Sequence, residues 1–181
     1  MKKVFLIRHG LPDFPGGQRM CLGVTDIPIG GEGLRQAQEM AAKLPPVTMV
    51  FSSPLIRAVQ TAQTIGMPVT ILEDLRELDA GEWDGRTFEE IKDRYADLFA
   101  ARGRDPTLPL PGGEDSARGL ARFRSAMESA AAQSPGDFAV VAHGGIIAQF
   151  LKSISGQWRK PGYAEVISLT WEKEHFILIP N

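Results

Sequence analysis

Two short and entirely apolar segments of this chain are each followed by a histidine-glycine pair, the first after one intervening arginine. Residues 4–7 lead into Arg8 and His9. Residues 138–142 lead directly into His143. A short run without polar positions is typical of a strand that is buried on both faces of a parallel sheet. Because ligands of such sheets bind beyond the carboxyl ends of the strands, we expect both histidines to border one crevice.

Glycine and proline divide the rest of the chain into alternating helix and strand candidates. Residues 166–171 and 176–179 are predicted to form an antiparallel hairpin at one edge of the sheet. Two further strands are predicted at residues 49–51 and 69–71. Helices with apolar stripes are predicted within residues 34–44, 54–65, 88–99, 120–130 and 146–154. This alternation predicts an α/β fold of three layers, in which helices flank a mainly parallel sheet.

Some helix ends and faces carry local signals. Ser53 is expected to cap the helix that follows it, with Pro54 at the first helical position. Thr87 and Glu90 have the spacing of a capping box at the start of the helix within residues 88–99. In the helix within residues 120–130 and just before it, three arginines lie off the apolar stripe, and we expect them to form a solvated face: Arg118, Arg122 and Arg124.

Length and composition limit the class of protein. With 181 residues, of which 43% are hydrophobic, the chain is predicted to form a single domain over residues 1–181. A net charge of −2 and the lack of any block of like charge argue against a nucleic-acid partner. The first apolar run is too short for a signal peptide or a membrane span. The single cysteine, Cys21, suits a reducing compartment. We therefore expect a cytoplasmic protein with a small-molecule partner and no membrane partner, and the sequence indicates no oligomeric state.

Arg57 lies in the first turn of its predicted helix, where the helix dipole disfavours a cation and favours an anion. A bound anion would resolve that conflict, and the planar guanidinium group matches two phosphate oxygens at once. The alternative is a surface arginine that pairs with a carboxylate, which is a common arrangement.

Six segments of the chain, in order, resemble the motifs of the histidine phosphatase superfamily, also called the phosphoglycerate-mutase-like superfamily. R-H-G alone is a weak signal, whereas six motifs in the right order are a strong one. The segments are Arg8-His9-Gly10, residues 23–37, residues 52–62 with S-S-P-L and Arg57, residues 75–85 with Glu77, residues 111–114 (PGGE), and residues 141–145 (VAHGG).

The resemblance implies a phosphatase that acts through a phosphohistidine. His9 would be the nucleophile that forms the covalent intermediate. Arg8, Arg57 and His143 would bind the phosphate, together with the backbone at Gly144 at the start of the next helix. The same resemblance makes Glu77 the group that protonates the leaving oxygen and later activates water. No metal and no other cofactor is expected, because the three histidines and the spacing of the carboxylates supply no obvious metal site.

The chain departs from the family after Gly10, where the family continues with a glutamate, a hydroxyl residue and an asparagine. Leu11, Pro12 and Pro15 occupy those positions here. Gln18 or Arg19 in the same loop is a candidate to replace the lost donor near the phosphate.

The loop that contains Gln18, Arg19 and Gly23 is a candidate substrate loop. Together with residues 25–28 it is similar to the branch of α-ribazole phosphatases, which act in cobalamin biosynthesis. A phosphoglycerate mutase or a phosphohistidine-protein phosphatase would use the same site residues, and a catalytically silent sensor of phosphorylated ligands is the alternative outside enzymes. We expect Glu114 to orient an arginine or cap a helix, and His175 to have no part in the chemistry.

Overall fold

The computed structural model describes residues 1–179. Three short 3₁₀ turns accompany the regular elements, at Pro15–Gly17, Glu73–Leu75 and Gly81–Trp83. The strands are β1 (Lys2–Arg8), β2 (Met49–Ser52), β3 (Val69–Ile71), β4 (Phe138–Ala142), β5 (Val166–Glu172) and β6 (His175–Leu178). The helices are α1 (Gly31–Lys43), α2 (Ile56–Gln63), α3 (Phe88–Arg94), α4 (Ala96–Arg104), α5 (Ser116–Gln133) and α6 (Gly144–Ser155).

The strands form one sheet in the order β3-β2-β4-β1-β5-β6. The four strands from β3 to β1 are parallel to their neighbours, whereas β5 is antiparallel to β1 and β6 is antiparallel to β5. The mainly parallel sheet and its antiparallel hairpin at one edge are therefore confirmed. The order also makes β1 and β4 direct neighbours, so the two strands that precede the histidines end side by side.

Helices cover both faces of the sheet, as the predicted three layers require. Val4 and Leu6 of β1 face a core that includes residues of α5 and α6. Phe5 and Ile7 face the opposite way, into a core with residues of α1 and α2. Successive side chains of a strand point to opposite faces, and here both faces are apolar because both are covered. This is why the strand contains no polar position between Val4 and Ile7.

Helices α1 and α5 extend beyond their predicted ranges, and two local features of the helices differ in kind from the prediction. Helix α2 begins at Ile56 rather than Pro54, and its first N–H donates to the carboxylate of Asp26 at 2.8 Å. Ser53 is thus not the cap, because a side chain from a distant loop takes that place. The predicted helix within residues 88–99 is divided at Tyr95, whose backbone leaves the helical region (φ −131°, ψ 43°). The capping box of Thr87 and Glu90 is confirmed.

The loop after β1 rests directly on the start of α1. A Cβ at Gly33 would lie 2.1 Å from the carbonyl oxygen of Leu11, and one at Gly10 would lie 2.4 Å from that of Gly33. Glycine at both positions therefore allows two backbones to touch, which fixes the chain immediately after His9. Within residues 1–179, no helix combines the length and the apolar content that a membrane span requires.

Candidate active site

The structure brings the two strand-end histidines together. His9 follows β1 and His143 follows β4, and their ring centroids lie 5.2 Å apart. The backbone N–H of His9 also donates to the carbonyl of Ala142 at 3.0 Å, which extends the pairing of the two strands by one residue. Both histidines are buried. The two histidines therefore lie side by side, but only His9 lines the adjoining cavity, since His143 is completely buried.

The imidazole of His9 has a defined tautomer. Its Nδ1 lies 2.7 Å from the carbonyl oxygen of Gly10. A carbonyl oxygen can only accept, so Nδ1 carries the proton and Nε2 keeps its lone pair. Burial, and then the positive charge of Arg57, lower the pKa of His9 well below its usual value and outweigh the opposing bond to Gly10. The ring is therefore neutral at pH 7, with Nε2 able to act as a nucleophile.

His143 is held from the side of β2. Its Nε2 lies 2.7 Å from the hydroxyl of Ser53, which follows that strand. Burial lowers the pKa of His143 well below its usual value, and the charge of Arg57 adds to the effect. The other ring nitrogen, Nδ1, is buried and has no hydrogen-bond partner within residues 1–179.

Arg57 lies in the first turn of α2 as predicted, but its side chain is completely buried. Its two terminal nitrogens donate to the carbonyl oxygens of Thr25 and Gly23, each at 2.8 Å. The carboxylate of Asp26 is 3.9 Å away. Arg57 is thus not a surface arginine, because two of its donors hold the loop around Gly23. Burial lowers its pKa, and its Nε has no partner in the described part of the chain.

Arg8 approaches the site from the end of β1. One terminal nitrogen donates to the carbonyl of Pro161 at 2.7 Å, and the guanidinium carbon lies 3.8 Å from the ring centroid of Tyr163. The Nε of Arg8 is buried without a partner among residues 1–179. A Cβ at Gly144 would lie 2.9 Å from this Nε and equally close to Cε of Lys160. Glycine at the start of α6 therefore makes room for two cations.

Glu77 binds the N-terminus of α6. Its two carboxylate oxygens accept from the backbone N–H groups of Gly145 at 2.8 Å and Ile146 at 2.7 Å, and one of them also accepts from Leu78 at 3.0 Å. An anion is favoured at such a helix end. The backbone at the start of α6, at Gly144, is the predicted phosphate ligand, and the next two N–H groups of the helix serve Glu77 instead. Gly144, one residue earlier, does line the cavity in front of His9.

The segment that carries Glu77 is fastened to α5 by Arg122, which corrects the prediction of a solvated arginine. The side chains of Arg122 and Glu114 are 9% and 12% exposed and form a two-point ion pair, with a shorter contact of 2.6 Å. The remaining hydrogens of Arg122 reach the backbone carbonyls of Asp74, Arg76 and Glu77 at 2.8 to 3.0 Å. The expected role of Glu114 in orienting an arginine is confirmed. The periodicity of the sequence did not show this role of Arg122. It indicates which helix face a residue lies on, but not which loop packs against that face.

A cavity of about 230 Å³ lies in front of His9. Arg19 of the predicted substrate loop is among its lining residues, whereas Gln18 is not. Gly23 is also outside the lining, and its carbonyl oxygen accepts a hydrogen bond from Arg57. The full lining is Arg8, His9, Pro12, Phe14, Arg19, Met20, Cys21, Leu22, Glu77, Trp83, Phe88, Arg102, Pro106, Leu110, Gly144, Lys160 and Tyr163.

Sequence reasoning missed three residues of this lining, Arg102, Lys160 and Tyr163. They lie in segments without a recognised motif, and no spacing in the sequence singles them out. Within residues 1–179, the histidine, cysteine and carboxylate side chains form no group of three that is close enough to hold a metal ion.

Comparison with known proteins gives a consistent family. The family model described as histidine phosphatase superfamily (branch 1) matches residues 4–178. The Bacillus subtilis protein named uncharacterized phosphatase PhoE is 33% identical over 165 residues, which cover 86% of this chain and 79% of that protein. A mycobacterial glucosyl-3-phosphoglycerate phosphatase in complex with VO3 superposes with a TM-score of 0.86 at 28% identity, over 99% of this chain and 98% of that one.

An Escherichia coli structure described as a putative α-ribazole-5′-P phosphatase has a TM-score of 0.77 over 98% of this chain and 94% of that one. Its sequence identity is 22%, so it shares the fold and supports no narrower conclusion. The family match spans both strand-end histidines, Arg57 and Glu77. The chain belongs to the histidine phosphatase superfamily, branch 1.

Proposed function

We propose that this chain is a phosphoric monoester hydrolase that acts through a phosphohistidine at Nε2 of His9. One observation carries the proposal. Four buried polar side-chain atoms lack a partner within residues 1–179, and three of them belong to Arg8, Arg57 and His143, which surround or approach His9. The Nε atoms of the two arginines are N–H donors, and so is Nδ1 of His143 when its Nε2 accepts from the Ser53 hydroxyl. Buried polar atoms without partners are rare, because each costs the free energy of a lost hydrogen bond. A phosphate group, with several acceptor oxygens and a negative charge, supplies the missing partners.

The first step of the proposed reaction forms a bond between Nε2 of His9 and phosphorus and breaks the bond from phosphorus to the ester oxygen. The imidazole becomes positively charged as it is phosphorylated. The carbonyl of Gly10, which accepts from Nδ1, stabilises that charge. Arg8 and Arg57 offset the negative charge on the transferring group, and Lys160 beside Gly144 adds a third cation.

Glu77 is proposed to give its proton to the departing ester oxygen. In the second step, water attacks phosphorus, its proton passes to the Glu77 carboxylate, and the bond from Nε2 to phosphorus breaks to release inorganic phosphate. The carboxylate lies against the N-terminus of α6 in this structure. Donation to a substrate therefore requires that one oxygen turn away from the backbone N–H groups and into the cavity.

The names of the relatives support hydrolysis of a phosphate ester. The cavity, at about 230 Å³, favours a small phosphorylated metabolite over a phosphohistidine on a protein segment, because small-molecule sites are enclosed clefts of a few hundred Å³. No residue of the lining selects α-ribazole 5′-phosphate among such esters. We further propose that the reaction needs no metal, since side chains supply the cations around the phosphate.

The experiment that tests this function compares His9→Ala with a matched control, His175→Ala, whose histidine is exposed in β6. We expect the wild type and the control to hydrolyse aryl phosphates in EDTA and to yield an acid-labile phosphoenzyme after acid quenching. His9→Ala should lower kcat by at least about 10³ and abolish the phosphoenzyme. A wild type that binds phosphate without turnover would indicate a sensor, and activity that EDTA removes and a metal restores would refute the metal-free reaction.

A further inference from the structure

The fourth buried polar atom without a partner belongs to another residue of the cavity lining. It is Nε1 of Trp83, whose side chain is 4% exposed and lines the cavity together with Arg102 of α4. The guanidinium carbon of Arg102 lies 5.7 Å from the centroid of the Trp83 ring. We call these two residues the Trp83–Arg102 corner. Neither of them belongs to the proposed phosphate site.

Among residues 1–179, Arg102 has no ion-pair partner. Its side chain takes part in none of the salt bridges or hydrogen bonds among residues 1–179. Asp105 is the neighbouring carboxylate whose charge reaches Arg102, but one of its oxygens accepts from both the N–H and the hydroxyl of Thr107. The residue is half-buried, and burial lowers its pKa. A partly desolvated cation that no carboxylate contacts within the described residues is a place where an anion gains interaction free energy.

The indole of Trp83 is held in place by aromatic neighbours. Its ring packs against Tyr95 and Phe99, with centroid distances of 6.1 Å to each. These contacts, at the junction of α3 and α4 and within α4, fix the indole. The indole nitrogen can only donate, so the partner it lacks must be an acceptor. A negatively charged oxygen satisfies both Trp83 and Arg102.

We propose that the Trp83–Arg102 corner binds a second anionic group of the substrate, a carboxylate or a second phosphate. This inference rests on the proposed function and narrows it to phosphate monoesters that carry another anion. The charges of the lining agree with such a substrate. Four of its side chains are cationic, at Arg8, Arg19, Arg102 and Lys160, and Glu77 is its one carboxylate.

Apolar side chains form another part of the cavity lining. Phe14, Phe88 and Leu110 line the same cavity. A substrate whose two anionic groups are joined by a flat or apolar carbon body would bury that body against them. Aryl phosphates with a charged substituent in the para position therefore have the composition that this cavity favours.

The test measures kcat/KM for three esters: 4-carboxyphenyl phosphate, 4-phosphonophenyl phosphate and the neutral 4-carbamoylphenyl phosphate. The readout is the ratio of each charged ester to the neutral one. Because leaving-group chemistry is the same in every variant, the change in this ratio between variants reports the corner alone. Arg102→Gln is compared with Arg104→Gln, which removes an exposed arginine from the same helix outside the cavity lining.

We expect Arg102→Gln to lower the ratio about 10- to 100-fold, the range for losing a hydrogen bond to a charged group. Trp83→Phe should lower it about 3- to 10-fold, and Arg104→Gln should leave it unchanged. The ester whose ratio falls most identifies the anion as carboxylate or phosphate. If the ratios are equal in the wild type, Arg102→Gln and Arg104→Gln while all esters are hydrolysed, the corner is refuted and the phosphatase activity stands. If the wild type hydrolyses none of them, the proposed function itself fails, and this inference with it.

Discussion

Removal of Arg122 tests whether the segment of Glu77 is held by its ion pair with Glu114. Arg122→Met preserves much of the apolar stem but deletes the ion pair and three hydrogen bonds to backbone carbonyls. Removing one partner of a buried pair costs about 3 to 5 kcal/mol of unfolding free energy, because the other charge stays buried. For a chain of this length we therefore expect Tm to fall by about 6 to 20 °C. Arg118→Met, on the exposed side of α5, is the matched control.

The loss of stability in Arg122→Met depends on pH, and the structure gives the direction of that dependence. Burial raises the pKa of Glu114, but the hydrogen bonds and the charge of Arg122 outweigh burial, so the pKa lies below its usual value. A lowered native pKa contributes stability above the unfolded value near pH 4.3, and that stability is lost as the pH falls through the native pKa. In Arg122→Met the Glu114 carboxylate has lost its counterion, so protonation of Glu114 removes the cost of an unpaired buried charge. The gap in Tm between the variant and the wild type should therefore narrow between pH 7 and pH 4.

Arg122 also affects the reaction through Glu77. Loss of the bond to the Glu77 carbonyl should shift its carboxyl and lower kcat for alkyl phosphates about 10- to 100-fold, with a smaller effect on nitrophenyl phosphate. Thermal melts and steady-state kinetics are measured on the same preparations. The reasoning is refuted if Arg122→Met and Arg118→Met have the same Tm, or if the gap in Tm between Arg122→Met and the wild type widens as the pH falls.

Two further predictions concern the reacting groups. Glu77→Gln should lower kcat for alkyl phosphates by about 10² to 10⁴ and affect nitrophenyl phosphate much less, because nitrophenolate leaves without a proton. If Glu82→Gln shows this dependence on the leaving group and Glu77→Gln does not, Glu82 is the acid instead. Since the pKa values of His9 and His143 lie well below the usual value, their NMR ring signals should remain those of neutral imidazole at pH 6, and a cationic signal from either ring would contradict the structure. The unfolded chain takes up these protons below about pH 6.5, so stability should fall as the pH drops below that value.

The features that sequence predicted are those in which one local pattern fixes one local geometry. An apolar run that ends in His9 or His143 places each histidine at a strand end, and parallel strands bring their ends to one edge. The capping box at Thr87 and Glu90 needs only two residues at the right spacing. Such signals do not depend on what packs against them.

Features that depend on distant parts of the chain were outside the reach of these patterns. Asp26 caps α2 from another loop, which displaced the predicted role of Ser53. The burial of Arg57 depends on carbonyls of a loop that passes over it. Lys160 reaches Gly144 from a segment without a motif. In each case tertiary packing determines the partner, and the spacing of residues in the sequence does not predict it.

The position of β1 in the sheet has a consequence for how the protein reaches this fold. Val4 pairs with Phe138 on one side and with Leu169 on the other, so both neighbours of the first strand are made more than 130 residues after it. At about 5 to 20 residues per second, roughly 7 to 27 seconds of synthesis separate Val4 from Phe138. During that time an apolar strand has both edges unpaired, a state that invites aggregation. The two histidines meet only when this long-range pairing forms, so the active site is completed late in folding.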